Sequence, residues 1–239
     1  MARREAGSER VVVSRRARPA KAPLSREGIV ETALGLLARD GLGGLRLRNV
    51  AAALDTGAAS LYVYVANQAE LHALVLDRAL GDVRLPPAGT PGAAGDWRRS
   101  LKGLLLSYFE TLCARPGLAQ LAMGTIPTGP NALRITDRIL GLLLDGGVDG
   151  PTAAWAVDLL TLYVTAIAVE HTAPQASDSV GQAERVMRAV SPEEYPRIFE
   201  LRDSLFSGER MRFGWALDVL LAGLLSRDAS APGRGAEPS

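Results

Sequence analysis

The segment Leu45–Val65, LRLRNVAAALDTGAASLYVYV, decides how this chain is read. Leu47, Val50, Ala51 and Leu54 recur at helical spacing and predict a short helix with one apolar stripe. Asp55-Thr56-Gly57 stops it, and a further short helix is predicted from Ala58 to Val65 with Leu61 and Val65 turned inward. Two short helices joined by a three-residue turn fit a helix-turn-helix, whose second helix must approach base edges in the major groove. Ala58, Ala59 and Ser60 give that helix the low profile such an approach needs. Tyr62 and Tyr64 offer hydroxyls to phosphates or bases and aromatic faces to thymine methyls. Arg46 and Arg48 open the preceding helix with Asn49 beside them, and a guanidinium there can bond a phosphate or reach O6 and N7 of guanine. Three helices of an ordinary bundle would explain the stripe, but not the coincidence of length, turn position and aromatic placement.

Working outward, Ser25 can cap a helix that carries Glu27 in its first turn and Ile29, Ala33, Leu36 and Leu37 at helical spacing as far as Asp40-Gly41. On the other side Asn67, with Glu70 three residues later, has a capping-box pattern. The N-terminal amides of that helix, with Gln68 in its first turn, form an anion site suited to a phosphate. Pro86–Gly95 reads as a linker. Beyond it the pattern is helical: Leu101, Leu104, Leu105, Tyr108 and Leu112 after a possible cap at Asp96, then a short helix over Leu118–Met123, a loop over Gly124–Pro130, and helices from about Asn131 to Leu144 and Pro151 to Glu170. Residues 172–191 look loose, Ser191-Pro192-Glu193-Glu194 is a helix-start signature, and Met211–Leu225 closes the chain. No β-type alternation longer than a few residues occurs. The expectation is an all-α protein: an arm over 1–23, an N-terminal three-helix DNA-binding domain with a helix-turn-helix over 24–85, a larger helical ligand-binding and dimerisation domain over 96–226, and a polar tail over 227–239.

Composition narrows the classes further. In 239 residues there are one cysteine and two histidines, which excludes an internal disulfide and gives no metal-ligand spacing, so neither cofactor nor metal is expected. No paired carboxylates, nucleophile with a base, or phosphate loop supports a helical enzyme. The longest apolar-rich stretch, Leu159–Val169, falls short of the roughly 18 residues that suggest a spanning helix, and the N-terminus lacks a signal-peptide core. A soluble, cytoplasmic protein with no membrane partner is expected. Residues 1–26 hold eight Arg and Lys against two Glu, a surplus of +6 that leaves −5 for the rest, given a total of +1. A basic arm on a mildly acidic body suggests an anionic partner: Arg15, Arg16 and Arg18 either enter a minor groove or belong to a solvated tail.

The stretch Leu24–Leu80 resembles the DNA-binding domain of the tetracycline-repressor (TetR) family. The likeness is carried by Gly41-Leu42-Gly43-Gly44-Leu45-Arg46-Leu47-Arg48-Asn49-Val50-Ala51, by Ser60-Leu61-Tyr62-Val63-Tyr64-Val65 and by Asn67-Gln68-Ala69-Glu70-Leu71. Trp97 and the run Met123-Gly124-Thr125-Ile126-Pro127-Thr128 are similar to the ligand domain of tetracycline-binding members. The resemblance implies that Arg48 contacts a base and that Ala58–Ser60, Tyr62 and Tyr64 face double-stranded operator DNA. At Gln68 the family usually carries a phosphate-binding lysine; the glutamine can donate one hydrogen bond but brings no charge. Asp55 stands where a turn glycine is common. In the body, Tyr108, Met123, Thr125 and Tyr163 can line a pocket or fill the core; the resemblance adds Leu104 and favours Tyr108 and Thr125 as ligand-facing. Ala122 replaces a metal-binding histidine, so magnesium-tetracycline is not the expected ligand and a small, bulky, mostly apolar effector is. One helix-turn-helix covers too little DNA for specificity, so a homodimer reading a pseudo-palindrome is expected, joined, as in the family, through a four-helix bundle of the helices near 151–170 and 211–225. A DNA-binding regulator without an effector is the alternative.

Overall fold

The computed structural model describes residues 23–87, 96–174 and 176–226. Of the expected arm only Pro23 lies within them; Arg15, Arg16, Arg18, most of the linker and the tail from 227 lie outside. The described residues contain helices and turns and no strand. Helix α1 (Arg26–Asp40) starts where the Ser25 hydroxyl accepts the Gly28 amide at 3.0 Å. It stops at Gly41, whose φ of 62° glycine adopts readily. A 3-10 turn (Gly41–Gly44) leads into α2 (Leu47–Ala53), α3 (Ala58–Leu61) and α4 (Gln68–Leu80). Ile29, Leu37, Leu45, Val50, Leu61, Leu71 and Val75 are completely buried between these elements, each stabilising the head by roughly 1.5–3 kcal/mol. The surface ion pairs Arg26–Glu70 and Arg78–Glu31 also tie α1 to α4, but exposed pairs contribute only about 0–1 kcal/mol each. The apolar core therefore dominates.

Helix α3 is shorter than the expected Ala58–Val65. After Leu61 the chain turns, with the Tyr64 and Val65 amides both donating to the Leu61 carbonyl at 2.9 Å. Leu61 and Val65 still point inward, as their spacing predicts.

The body comprises α5 (Asp96–Cys113), α6 (Leu118–Met123), α7 (Pro130–Asp145), α8 (Gly150–Thr172), α9 (Ala176–Arg188), α10 (Pro196–Leu205) and α11 (Glu209–Ser226). The stripe Leu101, Leu104, Leu105, Tyr108 and Leu112 is buried and makes α5 the hub, packed on α4, α6, α7, α8 and α11. Because α4 also meets α6 and α7, head and body share one continuous apolar core. Gly117, at φ 81°, abuts the head's 3-10 turn; a Cβ there would lie 2.9 Å from the Leu42 nitrogen, so the approach requires glycine.

Three expectations are corrected. Residues 176–188 are helical, not loose: Arg188 pairs with Glu184 in its own helix at 2.9 Å and with Asp203 of α10 at 2.6 Å. Its apolar positions, Val180, Ala183 and Met187, recur at helical spacing but are few among polar neighbours and none is fully buried. The helix expected at Ser191 does not propagate: the Ser191 hydroxyl accepts the Glu193 and Glu194 amides at 3.2 and 3.3 Å, but the chain makes a turn and helix resumes at Pro196. A proline disfavours helical backbone in the residue before it, here Tyr195. Finally, α8 has 23 residues and a mean hydropathy of 1.6 over its most apolar stretch, long and apolar enough by length and composition to cross a membrane. Here Ala153, Ala156, Leu160, Val164 and Ala168 form its buried face against the body, and the Thr161, Thr165 and Thr172 hydroxyls bond back to carbonyls four residues earlier.

Candidate nucleic-acid interface and effector region

The turn between α2 and α3 is closed by the Asp55 amide on the Ala52 carbonyl at 3.0 Å and the Thr56 amide on the Ala51 carbonyl at 2.9 Å. Asp55 sits at φ 49°, so it takes the left-handed conformation that the family's glycine would supply. Aspartate tolerates that region better than most residues, and the turn geometry survives the substitution. With Leu61 buried beneath it, α3 presents Ala58, Ala59 and Ser60 outward, followed by Tyr62 at 55% and Val63 at 80% exposure. Tyr64 is half-buried and packs on the core, so less of it is offered outward. Arg46 and Arg48 are exposed, and with Tyr62, Asn67 and Leu42 they line one open groove of about 580 Å³.

Val63 was not singled out by helical spacing because a continued helix would carry it away from Tyr62. The early end of α3 exposes both. Its branched methyls are suited to apolar contact with a thymine methyl.

Two residues expected at DNA make hydrogen bonds within the protein. Asn49 Nδ2 donates to the carbonyls of Gly43 and Gly44, both at 3.2 Å, and so fixes the loop before α2. Gln68 Oε1 accepts the Leu47 amide at 3.1 Å, its Nε2 donates to the Leu45 carbonyl, and the same nitrogen lies 2.7 Å from His72 Nε2. Helix α2 has no side-chain cap of its own from Arg46. Gln68 therefore caps α2 from α4, and both ends of its amide are bonded within the chain. The contact spans 21 residues of sequence, beyond the reach of local patterning. Gln68→Ala is expected to lower the stability of the head by about 1 kcal/mol, the usual cost of a lost cap. It should also weaken operator binding; thermal melts and a mobility-shift titration measure the two, and an unchanged melt would refute the cap.

Asn67 caps α4 as the sequence indicates, its Oδ1 accepting the Glu70 amide at 2.9 Å. Glu70 completes the box one residue early, accepting the Ala66 amide at 2.6 Å.

In the body the expected ligand-facing residues divide. Leu104 and Tyr108 belong to the buried face of α5. Thr165 Oγ1 donates to the Thr161 carbonyl at 2.7 Å, so the Tyr108 hydroxyl, 3.1 Å from Thr165 Oγ1, is the donor in that pair. Burial pushes the Tyr108 hydroxyl above its ordinary range, and it stays a neutral donor. Met123 is 43% exposed at the end of α6, and Thr125 is partly exposed in the loop 124–129 that leads into α7. Tyr163 stacks on Phe213 of α11 at 6.3 Å, next to the Phe109–Phe213 pair at 5.3 Å, and its aromatic partners differ from those of Tyr108. Ala122 packs against the core, and no group of three or more His, Cys, Asp or Glu among the described residues is arranged to hold a metal ion.

A solvent-facing helix-turn-helix flanked by arginines, fused through α4 to a larger helical body, defines a helix-turn-helix transcription regulator. The chain belongs to the tetracycline-repressor family: residues 89–227 match the family described as Tetracyclin repressor-like, C-terminal domain. Among solved structures it is similar to ActR of Streptomyces coelicolor without ligand, at 35% identity and a TM-score of 0.78 over 86% of this chain and 97% of that one. It is equally similar to ActR in complex with actinorhodin, at 34% identity and a TM-score of 0.78 over 88% and 99% of the two chains. A sequence relative is the HTH-type transcriptional repressor DrrR1 of Streptomyces coeruleorubidus, 28% identical over 222 residues, covering 87% of this chain and 80% of that protein.

Proposed function

We propose that this regulator acts in the cytoplasm as a homodimeric repressor, released from a palindromic operator by a small, largely apolar molecule. The observation that carries the DNA reading is the groove in which Arg46, Arg48, Tyr62 and Asn67 converge beside the small-residue start of α3. The recognition unit enters the major groove with Ala58–Ser60 against the base edges. Arg48 reads a base, Arg46 and the Asn67 end of α4 hold phosphates, and Tyr62 with Val63 supplies apolar contact. Two such heads match successive major grooves when spaced about 34–36 Å apart.

Dimerisation is supported by two uncovered apolar stripes. Trp155, Leu159 and Leu162 on α8 are 60%, 43% and 53% exposed, and Met211, Trp215 and Val219 on α11 are 74%, 67% and 50% exposed. Each set lies on one helix face, and α8 and α11 pack together, so the stripes of two copies can close an isologous four-helix bundle. Effector release is supported by the ligand found with ActR. An effector acts by binding more tightly to the state with the other head spacing. A second reading, a regulator without an effector, is favoured by the occupied Tyr108 hydroxyl and its place in the continuous core.

Footprinting the DNA that flanks the gene, with and without actinorhodin as the first probe, tests this function. Protection of a palindrome that the probe abolishes is expected; absence of any protected palindrome would overturn it. Within that footprint Arg48→Ala should weaken binding by about 1–3 kcal/mol and relax preference at one base pair, while Tyr62→Ala weakens binding without that relaxation. Parent-like titration curves for both variants on a panel of singly substituted sites would remove the docking geometry.

A further inference from the structure

The carboxylate of Asp77 is buried in α4, 7% exposed, and its partners come from α7. Its Oδ1 accepts the amides of Asn131 and Ala132, each at 3.0 Å, and its Oδ2 accepts Asn131 Nδ2 at 3.2 Å. Asn131 Nδ2 also donates to the Asp77 main-chain carbonyl at 3.1 Å. Helix α7 has Gly129 at its cap position and no side-chain cap of its own, so the negative charge of Asp77 supplies the cap from another helix. Gly129 is part of the fit: a Cβ there would lie 2.1 Å from Asp77 Cγ. Any movement of the first turn of α7 must either carry α4 with it or leave a buried carboxylate without its donors, which is strongly disfavoured.

The two ends of this linkage matter. The loop 124–129, with Met123 and Thr125 at its start, runs directly into the first turn of α7. At the other end of α4, Gln68 holds α2 through the Leu47 amide. Between Gln68 and Asp77 lie nine residue steps of helix, roughly 14 Å of rigid rod. We infer that Asp77 is a positioning residue, the joint through which loop 124–129 sets the angle of α4 and with it the DNA head. The joint is a property of the single chain; its use in release rests on the effector reading above.

The test uses the full-length chain with Cys113→Ser, spin labels at Ala53→Cys in α2 and Asp137→Cys in α7, diluted with unlabelled chain so that only distances within one chain are read. Both labelled positions are exposed. The parent is expected to give one narrow head-to-body distance. Asp77→Ala removes the cap, and Gly129→Ala drives the carboxylate out while leaving it in the sequence; both should broaden the distribution to about twice the parent width. Asp77→Asn keeps one oxygen to accept the two amides but turns an NH2 towards Asn131 Nδ2, so its width should fall between those of the parent and Asp77→Ala. Parent-like widths in either folded disrupting variant would overturn the joint, and Gly129→Ala serves if Asp77→Ala does not fold. In the release assay with actinorhodin, Asp77→Ala should bind the operator more weakly and, at an operator concentration matched to its own affinity, need about tenfold more probe for half release. Failure of the parent to respond to actinorhodin would count against the effector reading alone, because the distance widths still decide the joint. Equal probe requirement in parent and Asp77→Ala would overturn its role in release.

Discussion

Trp215→Glu is expected to break the proposed dimer and to abolish operator binding. The side chain is 67% exposed in the single chain, between the similarly exposed Met211 and Val219. A tryptophan is the kind of anchor that dominates an interface, and a contiguous apolar stripe of this size is rare on a monomer unless something covers it. In an isologous interface each substitution appears twice, so two carboxylates would enter the same apolar seam. A loss of at least about 4 kcal/mol in dimer affinity follows, roughly a thousandfold in Kd. Operator affinity falls with it, because two linked heads gain about 10²–10⁴ over one. Sedimentation velocity reads the first effect and a mobility shift the second. The melting of the individual chain should hardly change, which separates this outcome from misfolding. A Trp215→Glu protein that still sediments as a dimer would remove α11 from the interface.

Tyr108→Ala should cost about 3–5 kcal/mol of folding stability, the usual loss for truncating a large buried side chain. Tyr108→Phe should cost only about 0.5–1.5 kcal/mol, the net value of one hydrogen bond. The small second value follows from geometry, since Thr165 Oγ1 keeps its bond to the Thr161 carbonyl when the Tyr108 hydroxyl is removed. Urea titration of the two variants measures the difference. The pH dependence has a definite sign. The folded hydroxyl holds its proton more tightly than the ordinary value of 10.0, so the stability it contributes is fully present below that pH and is lost as pH rises through the folded value. Tyr108→Phe should remove that alkaline loss. Equal stability of the alanine variant and the parent would place the ring outside the core and return it to the set of ligand-only residues.

The head was legible in the sequence because its signals are local. The Ser25 and Asn67 caps, the Gly41 stop and the inward Leu61 and Val65 all act within four residues of themselves, and all are found where the pattern places them. What the sequence hides are contacts between distant elements. Gln68 and Asn49 have the right chemistry to meet phosphate, and only the fold shows their amides facing backbone groups of the loop and of α2. Asp77 carries no local signal, and its partners lie 54 and 55 residues away. Helix α9 does carry Val180, Ala183 and Met187 at helical spacing, but they are few and set among Ser, Asp, Gly, Gln and Arg, so a reading for long apolar stripes passes over it. In the body the stripe along α5 identified the buried face correctly, but periodicity cannot separate a wall of a ligand cavity from a wall of the core.

The glutamine at position 68 has a further consequence for how the protein senses its ionic surroundings. A lysine there would neutralise one phosphate in each half-site, and its binding would release the counterions condensed on that phosphate. Gln68 fastens α2 with neutral hydrogen bonds and releases none. At each half-site about one fewer ion enters the equilibrium, so affinity falls less steeply as salt accumulates. A regulator assembled this way keeps more of its grip on DNA when the cell loses water and its ions concentrate, and it leans correspondingly more on shape and base contact.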